Sequence, residues 1–260
     1  MTTGFPADWL ALREPADRRA RAPSVLAAAR EHVPAPGSIC DLGSGTGGSI
    51  RAFGPLFDPG TRWCLIDADA ANLARARARN PRATTVVHDL NVLPPPWPAG
   101  CGLVTASALF DLAAAGWIAG FVAALTAARL PLLATLTFDG RLTLDPPDSR
   151  DTAMIDGFLR HQRGDKGLGG PAAGPTAVEV LSQALREAGY EVITGDSPWV
   201  LRPERDGALI AELLHGWAGA LIEADLIPRH MGETWLAARR DRPPETTVGH
   251  TDLFAYPPAP

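Results

Sequence analysis

Lysine is almost missing from this chain of 260 residues: 23 arginines stand against one lysine, Lys166. Where a position needs only positive charge, such a composition supplies arginine, so the lone lysine marks a place where a compact ammonium or a titratable amine is wanted. Cysteine is scarce too. Cys40, Cys64 and Cys101 show no C-x-x-C or Cys/His spacing, which excludes a structural zinc motif. Each falls within or at the start of an apolar run and reads as a small buried hydrophobe in a reducing compartment. There is no sustained basic run, no basic–aromatic stripe, and the net charge is −5, all of which argue against a nucleic-acid partner. The longest apolar stretch, Ala113 to Ala128, is too short and too rich in alanine to cross a bilayer, so no membrane partner is expected. Met1 to Leu10 lacks the basic and apolar blocks of a signal peptide, and the expectation is a cytoplasmic protein.

Glycine, by contrast, is concentrated where it matters. Ile39 and Cys40 end an apolar run, Asp41 follows, and Gly43, Gly45 and Gly47 then permit a sharp turn that brings backbone close to a ligand. Ser49 to Phe57 has apolar residues at helical spacing, so strand, glycine loop and helix follow one another as in a nucleotide cradle. Two ligand classes compete for it. Gly43, Gly45 and Gly48 satisfy the dinucleotide pattern G-x-G-x-x-G, whose helix N-terminus holds a pyrophosphate. A carboxylate at Asp41 suits an ammonium and a sulfonium better than a pyrophosphate. A second apolar run, Arg62 to Asp67, also ends in a carboxylate, which can accept from both hydroxyls of a ribose. Asp69 then reads as a helix cap. Ala83 to Leu90 reads as a third strand ending in Asp89.

The string Asp41-Leu-Gly-Ser-Gly-Thr-Gly47 resembles the first motif of the class I S-adenosylmethionine-dependent methyltransferases. The resemblance implies S-adenosyl-L-methionine as cofactor, held by Asp41, Gly43, Ser44, Gly45 and Gly47, with Asp67 and its neighbour Ala68 at the ribose. It also implies Asp89 at the adenine amino group, Leu90 beside it, and Ser107 at the end of the fourth strand. Members of this family often lay an N-terminal helix over the methionine end of the cofactor. On that resemblance Arg13 or Arg21 pairs with the cofactor carboxylate.

Along the rest of the chain, Pro15 to Val33 reads as one helix with Val25 and Leu26 inward and arginines outward. Gly102 to Ser107 and Leu130 to Phe138 read as the fourth and fifth strands, with a helix from Ala113 to Ala128 between them. Later strands are expected at Glu191 to Thr194 and His250 to Tyr256, and helices at Thr176 to Ala188, Ala208 to Ile227 and Met231 to Arg240. This alternation defines an α/β fold: a doubly wound, mostly parallel seven-stranded sheet with helices on both faces. The resemblance makes its last strand antiparallel. The expectation is a single methyltransferase domain over 1–260, with an N-terminal helical cap, 1–35, and a lid or substrate insertion, 139–175. That insertion is polar, glycine-rich toward its end, and carries a short helix near Thr152 to Gln162.

Methyl transfer asks mainly for alignment, and a base only if the accepting group is protonated. The catalytic candidates are His161, Asp165 and Lys166 in the insertion, and Asp111 after the fourth strand, near Trp117. His161 is the candidate base, because imidazole titrates near neutrality. Lys166 is expected to bind an anionic group of a small-molecule substrate, unless burial depresses its pKa. Asp111 could orient an amine, accept a proton or cap a helix. Two rival functions stay open. An NAD(P)-dependent oxidoreductase shares the cradle, although neither Tyr190 nor Tyr256 has the lysine four residues on that short-chain dehydrogenases use. A non-catalytic cofactor-binding protein with the same fold is the other.

Overall fold

The computed structural model describes residues 5–33, 35 and 37–258; residues 1–4 and 34 of the expected cap, and 36 and 259–260 of the expected domain, lie outside the described residues. Strands β1 (Ser38–Leu42), β2 (Arg62–Asp67), β3 (Thr84–Val87), β4 (Cys101–Ser107), β5 (Leu132–Asp145), β6 (Glu191–Asp196), β7 (Trp199–Leu201) and β8 (Glu245–Tyr256) form one sheet. Its order is β3-β2-β1-β4-β5-β8-β6, with β7 beside β8. From β3 to β5 all pairs are parallel, and β8 runs antiparallel to β5, β6 and β7. The sequence order reverses between β1 and β4, where the crevice outside the strands' carboxyl ends takes ligands.

The period of two along each strand divides the core. Ile39, Leu65, Leu103 and Leu133 point to one face, where they meet Val25, Phe53 and Leu73. These belong to the helices α2 (Pro23–His32), α3 (Gly48–Phe53) and α4 (Ala70–Arg79). Cys40, Cys64, Val104 and Leu132 point to the other face. There they meet Ile118, Phe121, Leu181 and Leu185 of α5 (Ala115–Ala127) and α7 (Ala177–Glu187). Neighbours in the sheet agree in register, Cys40 standing opposite both Cys64 and Val104. A strand covered on both faces is apolar along most of its length, and all of β1, its polar Ser38 and Asp41 included, is buried.

A third cluster gathers α1 (Ala7–Arg19), α6 (Asp151–Gln162), α8 (Pro203–Glu223) and α9 (Arg229–Asp241) around Trp217 and Trp235. It packs on the part of β5 and β8 that projects beyond the parallel strands. The sheet is thus wider than the sequence suggests. β7 is an eighth strand of three residues, too short for a periodic signal. β5 continues through Asp139 to Asp145, the first part of the expected insertion, because Glu245 to Val248 pair with it. A second correction concerns the expected single helix from Pro15 to Val33. Pro23 restricts the residue before it, and Ala22 adopts extended angles, so the chain breaks into α1 and α2. Of the arginines expected outward in that stretch, Arg18, Arg19 and Arg30 are exposed, whereas Arg21 is half-buried and lies over the Phe53 ring.

One buried carboxylate joins these parts. Asp252 of β8, with no exposure, accepts from Ala22 N–H at 3.0 Å, Leu136 N–H at 2.8 Å and the Ser197 hydroxyl at 2.7 Å. Leu136 holds φ +53 at an irregularity in β5, and its N–H has left the strand ladder for Asp252. Replacing Asp252 by Ala leaves three buried donors without an acceptor, each costing about 1–3 kcal/mol. Urea denaturation of Asp252→Ala is expected to show a loss of about 3 kcal/mol or more, with Asp252→Asn intermediate. A loss below about 1 kcal/mol would refute this role.

Candidate functional site

After β1 the chain turns through three left-handed glycines, Gly43 (φ +60), Gly45 (φ +51) and Gly47 (φ +79), before entering α3. A side chain at Gly45 would be strained and would bring a Cβ to 2.9 Å from Leu10 Cδ1 of α1. The turn is braced from β2: Asp67 Oδ2 accepts the Gly45 N–H at 2.7 Å, and Oδ1 accepts that of Asp69 at 2.8 Å. Asp69 in turn caps α4 through Ala71 and Asn72 N–H. Burial raises the pKa of Asp67 against these donated bonds.

Beneath the turn lies Asp41. Its Oδ1 accepts from the Thr105 hydroxyl at 2.7 Å, while Oδ2 is buried with no partner. Burial pushes its pKa up to about 7. Ser44 Oγ is a second buried polar atom without a partner.

Above the turn is a cavity of about 470 Å³. Of the residues expected at a cofactor, Arg13, Gly43, Ser44, Gly45, Asp67, Ala68, Asp89, Leu90 and Ser107 line it, whereas Asp41 and Gly47 lie under or behind the loop. Asp89 is exposed, and its carboxylate, accepting from Asn91 N–H and Nδ2, has a lowered pKa. Helix α1 forms the opposite wall. Arg13 there bonds Asp17 at 2.9 Å and lies over the Trp199 ring, whose Nε1 donates to Asp17. Arg51 of α3 clasps both oxygens of Glu14. Arg21, between α1 and α2, lies over Phe53 and reaches Ser107 Oγ at 3.5 Å, with its Nε buried and unpartnered.

A strap, residues 165–168, forms part of the cavity wall. Asp165 and Lys166 line it; His161 stands behind, its Nδ1 3.1 Å from Lys166 Nζ. Asp111 lies in a short turn (Phe110–Leu112) and does not cap α5, whose cap position is Ala114. It is buried, Oδ1 has no partner, and burial pushes its pKa up to about 6 against the charges of Arg13 and Lys166. Trp117 belongs to the core, where its Nε1 donates to Leu90 O at 2.7 Å. The rest of the segment 139–175 lies away from the cavity wall.

Asn91 is a residue that motif reading passed over. Its Nδ2 donates to Gly167 O at 2.9 Å and its Oδ1 accepts Gly169 N–H at 3.0 Å, tying the strap to the Asp89 corner. The Asp-x-Asn turn is visible locally, but partners 76 and 78 residues away leave no sequence pattern.

No family model matches the chain, and no curated protein sequence does. Solved structures match over nearly the whole length. A methyltransferase from Geobacter sulfurreducens, in complex with S-adenosyl-L-homocysteine, is 18% identical with a TM-score of 0.50, covering 100% of both chains. A cyclopropane-fatty-acyl-phospholipid synthase-like protein from Lactobacillus casei is 14% identical, with a TM-score of 0.56 over 97% of this chain and 95% of that one. A cyclopropane synthase from Mycobacterium tuberculosis is 15% identical, with a TM-score of 0.51 over 96% and 94%. The chain has the class I methyltransferase fold.

Asn91 supplies two of the strap's long-range bonds, and a third runs from Ala114 N–H to Leu168 O at 2.9 Å. Asn91→Ala is expected to speed amide hydrogen exchange at Gly169 by about tenfold or more, the equivalent of one lost hydrogen bond. Unchanged exchange there would show that the strap is held by other means.

Proposed function

We propose that this protein transfers a methyl group from S-adenosylmethionine to a small-molecule acceptor. The observation that carries this reading is the bond from Gly45 N–H to Asp67 Oδ2. A pyrophosphate in this cradle would need that backbone donor and would meet two carboxylates, Asp41 and Asp67, within the same turn. A ligand with ribose hydroxyls, an ammonium and a sulfonium finds acceptors there instead. Each Asp67 oxygen keeps a second lone pair for a ribose hydroxyl. The unpartnered Asp41 Oδ2 and Ser44 Oγ fit a site completed by a polar ligand.

In this reading Gly43, Ser44 and Gly45 carry the cofactor, Asp67 and Ala68 take the ribose, and Asp89 and Leu90 the adenine. Asp41 contributes charge from below and Gly47 shapes the turn. Arg21, whose Nη1 reaches Ser107 Oγ and whose Nε has no partner among the described residues, is better placed than Arg13 for the cofactor carboxylate, because Arg13 is engaged by Asp17 and Trp199. When bound, the cofactor supplies the electrophilic methyl group; the protein's work is to hold it in line with the acceptor and exclude water. The acceptor lies toward the strap, against Asp165 and Lys166, with His161 and Asp111 behind them.

Calorimetry with S-adenosylhomocysteine and, separately, NADH tests the reading against an oxidoreductase; binding of NADH alone would refute it. Turnover of labelled S-adenosylmethionine in cell extract separates an enzyme from a binding protein. Asp67→Ala removes charge-assisted bonds worth about 1.5–3 kcal/mol, so affinity for S-adenosylhomocysteine should fall by about ten- to a hundredfold. Gly45→Val should abolish binding in a folded protein. Full affinity in either variant would place the cofactor elsewhere.

The affinity should also depend on pH. A cationic ligand favours ionised Asp41, and in the free protein this carboxyl holds its proton until about pH 7. Below that value binding must expel the proton, so affinity for S-adenosylmethionine should weaken by up to about tenfold per pH unit. Asp41→Asn should flatten this profile and weaken binding at pH 8; a wild-type affinity flat between pH 5 and 8 would contradict the role.

A further inference from the structure

The only lysine in the chain lines the cavity, on the strap that Asn91 ties to the Asp89 corner. Lys166 is one of the residues that line the wall, and His161 Nδ1 stands 3.1 Å from its Nζ without His161 reaching the cavity itself. The strap is pinned on either side of the lysine. Asp165 Oδ1 accepts Gly167 N–H at 2.7 Å, and Asn91 holds Gly167 O and Gly169 N–H. An amine is thus offered on a fixed segment with a hydrogen-bond acceptor behind it. Holding an anion would suit arginine, which this chain supplies everywhere else. A guanidinium, however, cannot give up its proton to become a base.

We propose that Lys166 takes up the proton of the methyl acceptor, with His161 as the positioning residue behind it, and that the acceptor is an amine or hydroxyl compound whose nucleophilic atom carries hydrogen. This rests on the methyltransferase reading and extends it to the acceptor's class. Neutral Nζ donates one N–H to His161 Nδ1 and turns its lone pair to the cavity. The acceptor's proton moves to Nζ while the electron pair released on nitrogen or oxygen forms the new bond to carbon. The pair of the broken carbon–sulfur bond stays on sulfur. The ammonium then yields a proton through half-buried His161 to water, and the balance closes with no further reactant.

The groups around the pair set its protonation. Asp111, in the turn after β4, favours the ammonium; burial opposes it more strongly and holds the amine below the usual lysine range. Arg13 of α1 reaches the pair through its charge on Asp111. Burial and then Lys166 lower the pKa of His161, while Glu223 of α8 raises it. Asp165 is occupied by Gly167 N–H. Two bases this close share one proton more readily than they hold two.

With a single lysine, protein grown on isotope-labelled lysine gives one side-chain resonance to titrate by NMR. The midpoint in the wild type is expected below the ordinary value of about 10.4. Asp111→Asn should lower it by about one unit more, because the charge favouring the ammonium is gone. Lys166→Met should raise the midpoint of the His161 imidazole, identified by its absence in His161→Gln. A wild-type lysine midpoint at or above the ordinary value, or a His161 midpoint indifferent to Lys166→Met, overturns the proposal. Calorimetry of the wild type with S-adenosylhomocysteine runs beside these titrations. Absence of binding would refute the methyltransferase reading and the acceptor class with it. Normal binding alongside an ordinary lysine titration would overturn the role of Lys166 alone.

Discussion

The arrangement of the cavity depends on Asp252, a carboxylate sealed inside the sheet. Three elements distant in sequence each give it a donor: the start of α2, the irregularity in β5, and the link between β6 and β7. Taking a carboxylate out of water is costly, and burial does raise its pKa, but the donors offset that cost only when all three segments are in place. The bond to Ala22 fixes the chain just after Arg21. The bond to Leu136 holds the strand irregular beside Thr135, whose carbonyl accepts Ala108 N–H at the cavity floor. One buried group therefore sets both the cationic wall and the floor of the site.

Around the cavity, charge is arranged in pairs that leave selected atoms free. Glu14 is clasped by Arg51, and Asp17 is shared by Arg13 and Trp199. Among the described residues, the buried side-chain atoms without partners include four at the cavity, Arg21 Nε, Asp41 Oδ2, Ser44 Oγ and Asp111 Oδ1, besides others such as Thr135 Oγ1 and His250 Nδ1. Buried polar atoms are normally satisfied, so four exceptions within or next to one cavity point to ligand atoms as their missing partners. The raised pKa values of Asp41 and Asp111 express the same imbalance.

The Asp89 corner and the strap are neighbours joined by one side chain. Asp89 holds Asn91, Asn91 holds the strap, and the strap carries Lys166. Leu90, between them, is anchored to the core through Trp117. A ligand at the Asp89 corner thus touches the same short segment that sets the height of the lysine above the acceptor space.

The parallel half of the sheet was legible in local sequence. Apolar runs, glycines that alone tolerate left-handed angles, and a capping aspartate are local signals, and they located β1 to β4, the cradle and α4. The sequence also singled out Lys166, through composition alone. Only the tertiary structure decided the rest. β7 has three residues and no period to read, and β5 is extended by the pairing of Glu245 to Val248, which lie a hundred residues away. Asp252 looks like any strand carboxylate until its donors converge. The engagement of Arg13 by Asp17 and Trp199, the free Nε of Arg21, and the position of Lys166 in front of His161 are long-range or side-chain facts. They arise from packing between elements, where burial and geometry outweigh whatever pattern the neighbouring residues carry.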